Sequence, residues 1–203
     1  MNYLTFEKAF RDYPVFSIKD IRKRFTDFDI KRLGEWRNKG YLMMVKRGHY
    51  CFQDRHKGEQ FLYYAANKIY TPSYISLESA LSYYNLIPEG VFTTVSVTTR
   101  NTASYDTSIG AFEFRHLKPR LYFGYRLINE GDLTIRMAEP EKVLLDYFYL
   151  NTLNNDEDIR AVRINKAQAL ELIDRDVLGE YQELFDSKVL NKRIRIFLKI
   201  INA

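Results

Sequence analysis

Asp-x-Asp pairs, spaced to share a metal ion, occur three times in this 203-residue chain, at Asp27/Asp29, Asp156/Asp158 and Asp174/Asp176. A nucleotidyltransferase site would set such a pair behind a Gly-Ser turn, and none of the three has one. Asp27 and Asp29 fall at an expected helix start, and the other two pairs read as exposed turn or helix charges. Glu139-Pro140-Glu141-Lys142 carries the residue types of a nuclease site. Its proline suits a first helical position, however, and acids at a helix start complement the macrodipole. The three histidines, His49, His56 and His116, show no ligand spacing, and a lone cysteine, Cys51, completes neither a zinc site nor an internal disulfide. Cys51 reads instead as a small buried hydrophobe. With no glycine-rich phosphate loop and no nucleophile elbow, the residues predict a chain that is not an enzyme and takes no metal or cofactor.

The chemistry that remains is cationic. Net charge is a mild +5, but residues 1–58 hold 14 Lys/Arg against 7 Asp/Glu, giving +7. Residues 59–187 come to −7, and the last sixteen residues to +5. Basic ends around an acidic middle predict units with different partners. Hydrophobic and charged fractions of 46% and 28% are those of a globular protein. No apolar run approaches the ~20 residues that span a bilayer, and the N-terminus lacks a signal-peptide core, so a cytoplasmic protein without a membrane partner is expected.

The elements that must position these cations follow from spacing. Tyr3, Phe6, Phe10 and Tyr13 recur at helical intervals up to Pro14. Ser17 to Asp20 forms a capping-box start for a second helix with Ile18, Ile21 and Phe25 on one face. Thr26 to Asp29 predicts a third start, with Ile30, Leu33 and either Trp36 or Arg37 inward, and Gly40 ends that helix. The stretch GYLMMVKRGHYCF then reads as a hairpin turning at Gly48. Three helices and a hairpin are the order of a winged helix-turn-helix, expected over residues 1–54. In that frame Lys31, Arg32, Asn38 and Lys39 face outward from the third helix towards a major groove, where Arg and Lys pair with guanine or phosphate and Asn with adenine. Ser17, Lys19 and Arg22 would meet phosphates, and Lys46, Arg47 and His49 form a basic tip. The same order of elements also occurs in protein-binding modules, and a charged tip also keeps an edge hairpin soluble.

Residues 55–203 predict a second, mixed α/β domain. A helix is expected over 55–70, then a short strand, a Ser76 cap and a helix bearing Leu77, Ala80, Leu81 and Tyr84. Four strands are expected at Val91–Thr99, Ala111–Leu117, Tyr122–Ile128 and Leu133–Met137, with Asn101–Ser108 a mobile loop. Helices follow from Pro140, near Lys166–Ile173, and from about Ser187. On the last, Lys188, Lys192, Arg195 and Lys199 form a stripe, either a solvated face or a second basic surface for nucleic acid or an acidic protein.

Three phrases, KGYLMMVKRGHYCF, PSYISLESALSYYNLIPE and MAEPEKVLLDYFYL, resemble the AbiEi antitoxins of type IV toxin–antitoxin (abortive-infection) systems, over roughly Val15 to Leu150. The resemblance implies a winged helix that represses its own operon, with Lys31, Arg32, Lys46 and Arg47 on DNA. It also implies a C-terminal antitoxin domain that counteracts a nucleotidyltransferase-like toxin. Ser76, Glu78, Ser79, Glu141 and Lys142 would then be packing or antitoxin residues. The expectation is therefore an α+β protein: a winged helix-turn-helix, then a mixed domain with a small, mainly antiparallel sheet and C-terminal helices. Its partners would be double-stranded operator DNA, bound alone or as a homodimer on an inverted repeat, and the toxin. The alternatives are a stand-alone regulator whose second domain senses a ligand, and a nuclease or nucleotidyltransferase targeted by a winged helix.

Overall fold

Asn2 caps the first helix, α1 (Tyr3–Phe10), by accepting from the Thr5 N–H. The computed structural model describes residues 1–55 and 58–202, so His56 and the expected helix start around it lie outside the described residues. α1 ends three residues before Tyr13, which is exposed beyond it; Phe6 and Phe10 alone bury their rings. A two-residue strand, β1 (Phe16–Ser17), leads into α2 (Ile18–Arg24), whose capping box between Ser17 and Asp20 forms as the spacing predicts. The third helix, α3 (Lys31–Asn38), begins later than its acidic prelude suggests. Its cap position is Ile30, which makes no side-chain cap, and Asp29 instead accepts from the Lys31 N–H at 3.0 Å. Ile30, expected inward, is exposed. Gly40 closes the helix at φ +73°, a conformation in which a side chain would be strained.

The hairpin β2 (Leu42–Lys46) and β3 (His49–Phe52) turns at Arg47-Gly48, and β1 adds to β3, giving a three-stranded antiparallel sheet in the order β1-β3-β2. Side chains alternate across this sheet as strand geometry requires. Leu42, Tyr50, Phe52 and Phe16 join Phe6, Phe10, Ile21, Leu33 and Trp36 in a small aromatic core. Val45, Cys51 and Val15 point the other way, into a larger core built by the rest of the chain. Both faces of the hairpin are therefore covered.

The larger part contains α4 (Gly58–Ile69), β4 (Ser73–Ile75), α5 (Leu77–Tyr83), β5 (Thr93–Thr98), β6 (Ala103–Thr107), β7 (Gly110–His116), a 3-10 turn at Pro119–Leu121, β8 (Tyr125–Glu130) and β9 (Leu133–Ala138). Helices α6 (Pro140–Leu150), α7 (Asp156–Ala161), α8 (Lys166–Leu172), α9 (Arg175–Phe185) and α10 (Lys188–Ile201) complete it. The strands form one six-stranded sheet in the order β6-β7-β5-β4-β9-β8. An antiparallel hairpin closes each edge, β4 and β5 pair antiparallel at the centre, and parallel β5–β7 and β4–β9 pairings join the three. The sheet is thus larger than expected and mixed. The chain as a whole is α+β.

The expected mobile loop at 101–108 is mostly strand. Ala103, Tyr105 and Thr107 are half-buried while Ser104 and Asp106 face outward, and the run pairs residue by residue with β7. Polar residues on the outer face of an edge strand conceal it in the sequence. Helices α7 and α9 were likewise not expected. Their starts are the two acidic pairs, with Asn155 and Asp174 as caps accepting from Asp158 and from Asp176 and Val177.

Candidate nucleic-acid interface

α3 presents its cations because Leu33 and Trp36 fix which side faces inward. Lys31, Asn38 and Lys39 are exposed with Glu35, Arg32 is half-buried, and none of these cations joins an ion pair among the described residues. Arg37 is exposed too and borders a groove with Met44 and Tyr105 rather than joining the core. The predicted outward set of α3 is therefore displayed together.

The α2 set divides. Lys19 and Arg22 are exposed. Ser17, expected to meet phosphate, spends its groups inside the molecule: its hydroxyl donates to Asp20 at 2.7 Å and its N–H at 2.8 Å. Burial works to raise the Asp20 pKa, but these two donors, with Lys23 and Lys68 nearby, hold it below its ordinary value. A carboxylate at the start of α2 leaves Ser17 no free proton for an anion.

The hairpin tip differs most from expectation. Lys46 turns back onto the larger part: its ammonium donates to the Ile69 carbonyl at 3.3 Å and lies 3.8 Å from the Tyr105 ring centroid and 5.1 Å from that of Tyr70. His49 is half-buried, and burial, then the charge of Lys46, lowers its pKa and favours the neutral ring. Ser108 donates to the Met44 carbonyl on the same side. Of the three predicted tip residues, only Arg47 is exposed. The tip is basic partly because it docks on aromatic rings, and the burial of Val45 and Cys51 beneath it is what requires that docking. Cys51 itself is wholly enclosed, which pushes its thiol up to about 12.

What the fold assembles in place of a basic tip is a cleft of about 530 Å³ between the two cores. Lys19, Arg22 and His49 line it from the first, and Lys68 and Arg100 from the second. Sequence reasoning missed the latter two, since each stands alone in its own segment and only tertiary packing joins them to α2.

The C-terminal stripe forms as its spacing predicts. Lys188, Lys192, Arg195 and Lys199 are exposed on α10, opposite buried Leu190, Ile194, Phe197 and Ile201. Arg193, between them, turns inward to donate to the carbonyls of Phe148, Asn151 and Leu153, capping the end of α6.

Of the residues singled out in the three resembling phrases, Ser76, Ser79, Glu141 and Lys142 lie in the interior. Ser76 makes no helix cap; its hydroxyl donates to Asp146 at 2.9 Å, as does that of Tyr74. Lys142, fully buried, pairs with Asp146, donates to the Tyr74 hydroxyl at 2.9 Å, and has the rings of Tyr74, Phe123 and Phe185 about it. Burial pushes its pKa down, and Asp146 opposes that. Ser79 bonds the Thr93 carbonyl and the Val95 N–H, and Glu141 accepts from the Asp174 N–H at 2.8 Å. Pro140 opens α6 and Glu141 stands in its first turn, as the sequence reading has it, while Lys142 is held by interior pairing with Asp146. Glu78 is half-buried and borders a separate groove with Glu89 and Glu113.

Among the described residues, no group of three or more His, Cys, Asp or Glu side chains could hold a metal ion, and no helix is long and apolar enough to cross a membrane. Searched against models of known protein families and against curated proteins, the chain matches none.

Proposed function

We propose that this chain is a DNA-binding autoregulator and antitoxin, with residues 1–54 acting as a winged helix-turn-helix. The observation that carries the DNA half is the exposed face of α3, where Lys31, Asn38 and Lys39, with Arg32 beside them, stand without ion pairs among the described residues on a helix anchored by Leu33 and Trp36. Such a face suits a major groove, with phosphate neutralisation supplying most of the affinity and base edges a modest selectivity. Lys19, Arg22 and Arg47 would extend the phosphate contacts, whereas Lys46 is engaged elsewhere. The antitoxin half rests on the resemblance of the three sequence phrases, and its partner would be a nucleotidyltransferase-like toxin.

The test is fluorescence anisotropy of the full chain with DNA from upstream of its gene, across a range of salt concentrations. Each phosphate contact contributes roughly 0.9 to the log–log salt slope. Lys31→Ala with Arg32→Ala is expected to weaken binding strongly and flatten that slope by about 1 to 2. Unchanged binding by the double variant would remove α3 as the reader. Rescue of growth on co-expression with a toxin encoded beside the gene tests the second half.

A further inference from the structure

We infer that the cleft between α2, the hairpin turn and the α4–β4 segment is a binding site for a small phosphate-bearing ligand. Four cationic side chains line this one concavity from both cores: Lys19 and Arg22 on α2, Lys68 on α4, and Arg100 just beyond β5. All four are exposed, and among the described residues none of them is in an ion pair and no carboxylate lines the cleft. Asp20, on α2 between Lys19 and Arg22, accepts from the hydroxyl and N–H of Ser17 and also feels the charge of Lys68. Arg100 stacks its guanidinium 4.3 Å from the Tyr70 ring centroid, an arrangement that leaves in-plane N–H groups for an anion. Thr71 lines it with its hydroxyl turned to the Asn67 carbonyl at 3.1 Å, and Ile18 and Ile69 give it apolar surface. A volume of about 530 Å³ is that of a small-molecule site.

Four cations outnumber the neighbouring Asp20 carboxylate, so the arrangement favours an occupant that supplies further negative charge. A duplex is less well suited, because these cations lie on facing walls of a concavity instead of along one outer surface. The assignment does not depend on the DNA reading above, although occupancy would withdraw Lys19 and Arg22 from any other anion.

Isothermal titration calorimetry of the full chain with ADP and with inorganic pyrophosphate, at fixed ionic strength, tests this. Saturable binding of either probe at one site per chain is expected. Lys68→Gln and Arg100→Gln should each weaken it about tenfold, the loss of one charged hydrogen bond. Lys192→Gln, on the α10 stripe, should leave it unchanged, and circular dichroism checks that all three variants fold. Absence of saturable heat with both probes would overturn the proposal. So would an equal loss in the Lys192 variant, which would indicate non-specific charge. Weakening of duplex binding by the Lys68 and Arg100 variants, with neither small probe bound, would reassign the cleft to DNA.

Discussion

Asp146 takes hydrogen bonds from three side chains at once: the hydroxyls of Tyr74 and Ser76 on one oxygen and the ammonium of Lys142 on the other. Every one of these groups is buried, so the carboxylate charge is stabilised only by its partners. Asp146→Ala should destabilise the chain by about 3–5 kcal/mol, because it leaves an enclosed ammonium with the Tyr74 hydroxyl and aromatic rings but no counter-charge. Lys142→Met combined with Asp146→Leu removes both charges and should be less damaging than Asp146→Ala alone, in urea titrations of the two. A double variant as unstable as the sum of its parts would mean that the pair is not coupled. Little of this was visible in the sequence. Lys142 and Asp146 are spaced i, i+4, which on most helices is a solvated pair. The hint was the flanking Val143-Leu144-Leu145 run, since a helix that is apolar on most sides is enclosed by its neighbours.

At the scale of elements, the spacing rules located helices and strands well where one face is plainly apolar, as in α3, α10, β5 and β9. They failed where the signal was local and polar. The β6 edge strand hides behind Ser104 and Asp106, and α7 and α9 begin at acidic pairs that also read as turns. Two glycines show how differently a turn is constrained. Gly48 at the hairpin turn has φ +85°, and an added Cβ would come no closer than 4.0 Å to Ile18. Gly124, just before β8, has φ +66°, but a Cβ there would lie 2.9 Å from the Tyr181 ring and 3.1 Å from two carbons of Lys142. Gly48→Ala should therefore cost only the left-handed backbone penalty of about 1–2 kcal/mol. Gly124→Ala adds overpacking of a further ~1–3 kcal/mol and presses on the Lys142 pair. Thermal melts of the two variants should rank them in that order, and equal shifts would show that Tyr181 yields without cost.

The hairpin belongs to two cores, and this governs the whole molecule. Along β2, Leu42 and Met44 pack on the aromatic core, while Met43 and Val45 pack on the larger one; along β3, Tyr50 and Phe52 face the first and Cys51 the second. Sequence alternation announced a strand pair, but with both faces apolar or ambivalent it could not say that the outer face has a permanent cover. A fragment of residues 1–54 would expose Val15, Val45 and Cys51, buried in the full chain, and would strip Lys46 of Ile69, Tyr70 and Tyr105. At about 25 cal/mol per Å² of apolar surface, uncovering even two such side chains is worth a few kcal/mol, a large share of the margin of a unit this small. The isolated fragment should therefore be poorly folded, with collapsed amide dispersion in its proton–nitrogen NMR spectrum, and prone to self-association. Val45→Thr with Cys51→Ser should improve the fragment's solubility and destabilise the full chain, since the same atoms face water in one and the larger core in the other. A fragment as well dispersed and as stable as the full chain would show that the aromatic core suffices alone. DNA binding by that fragment would then be a fair measure of α3, whereas a fragment that fails to fold makes the full chain the only sound vehicle for that measurement.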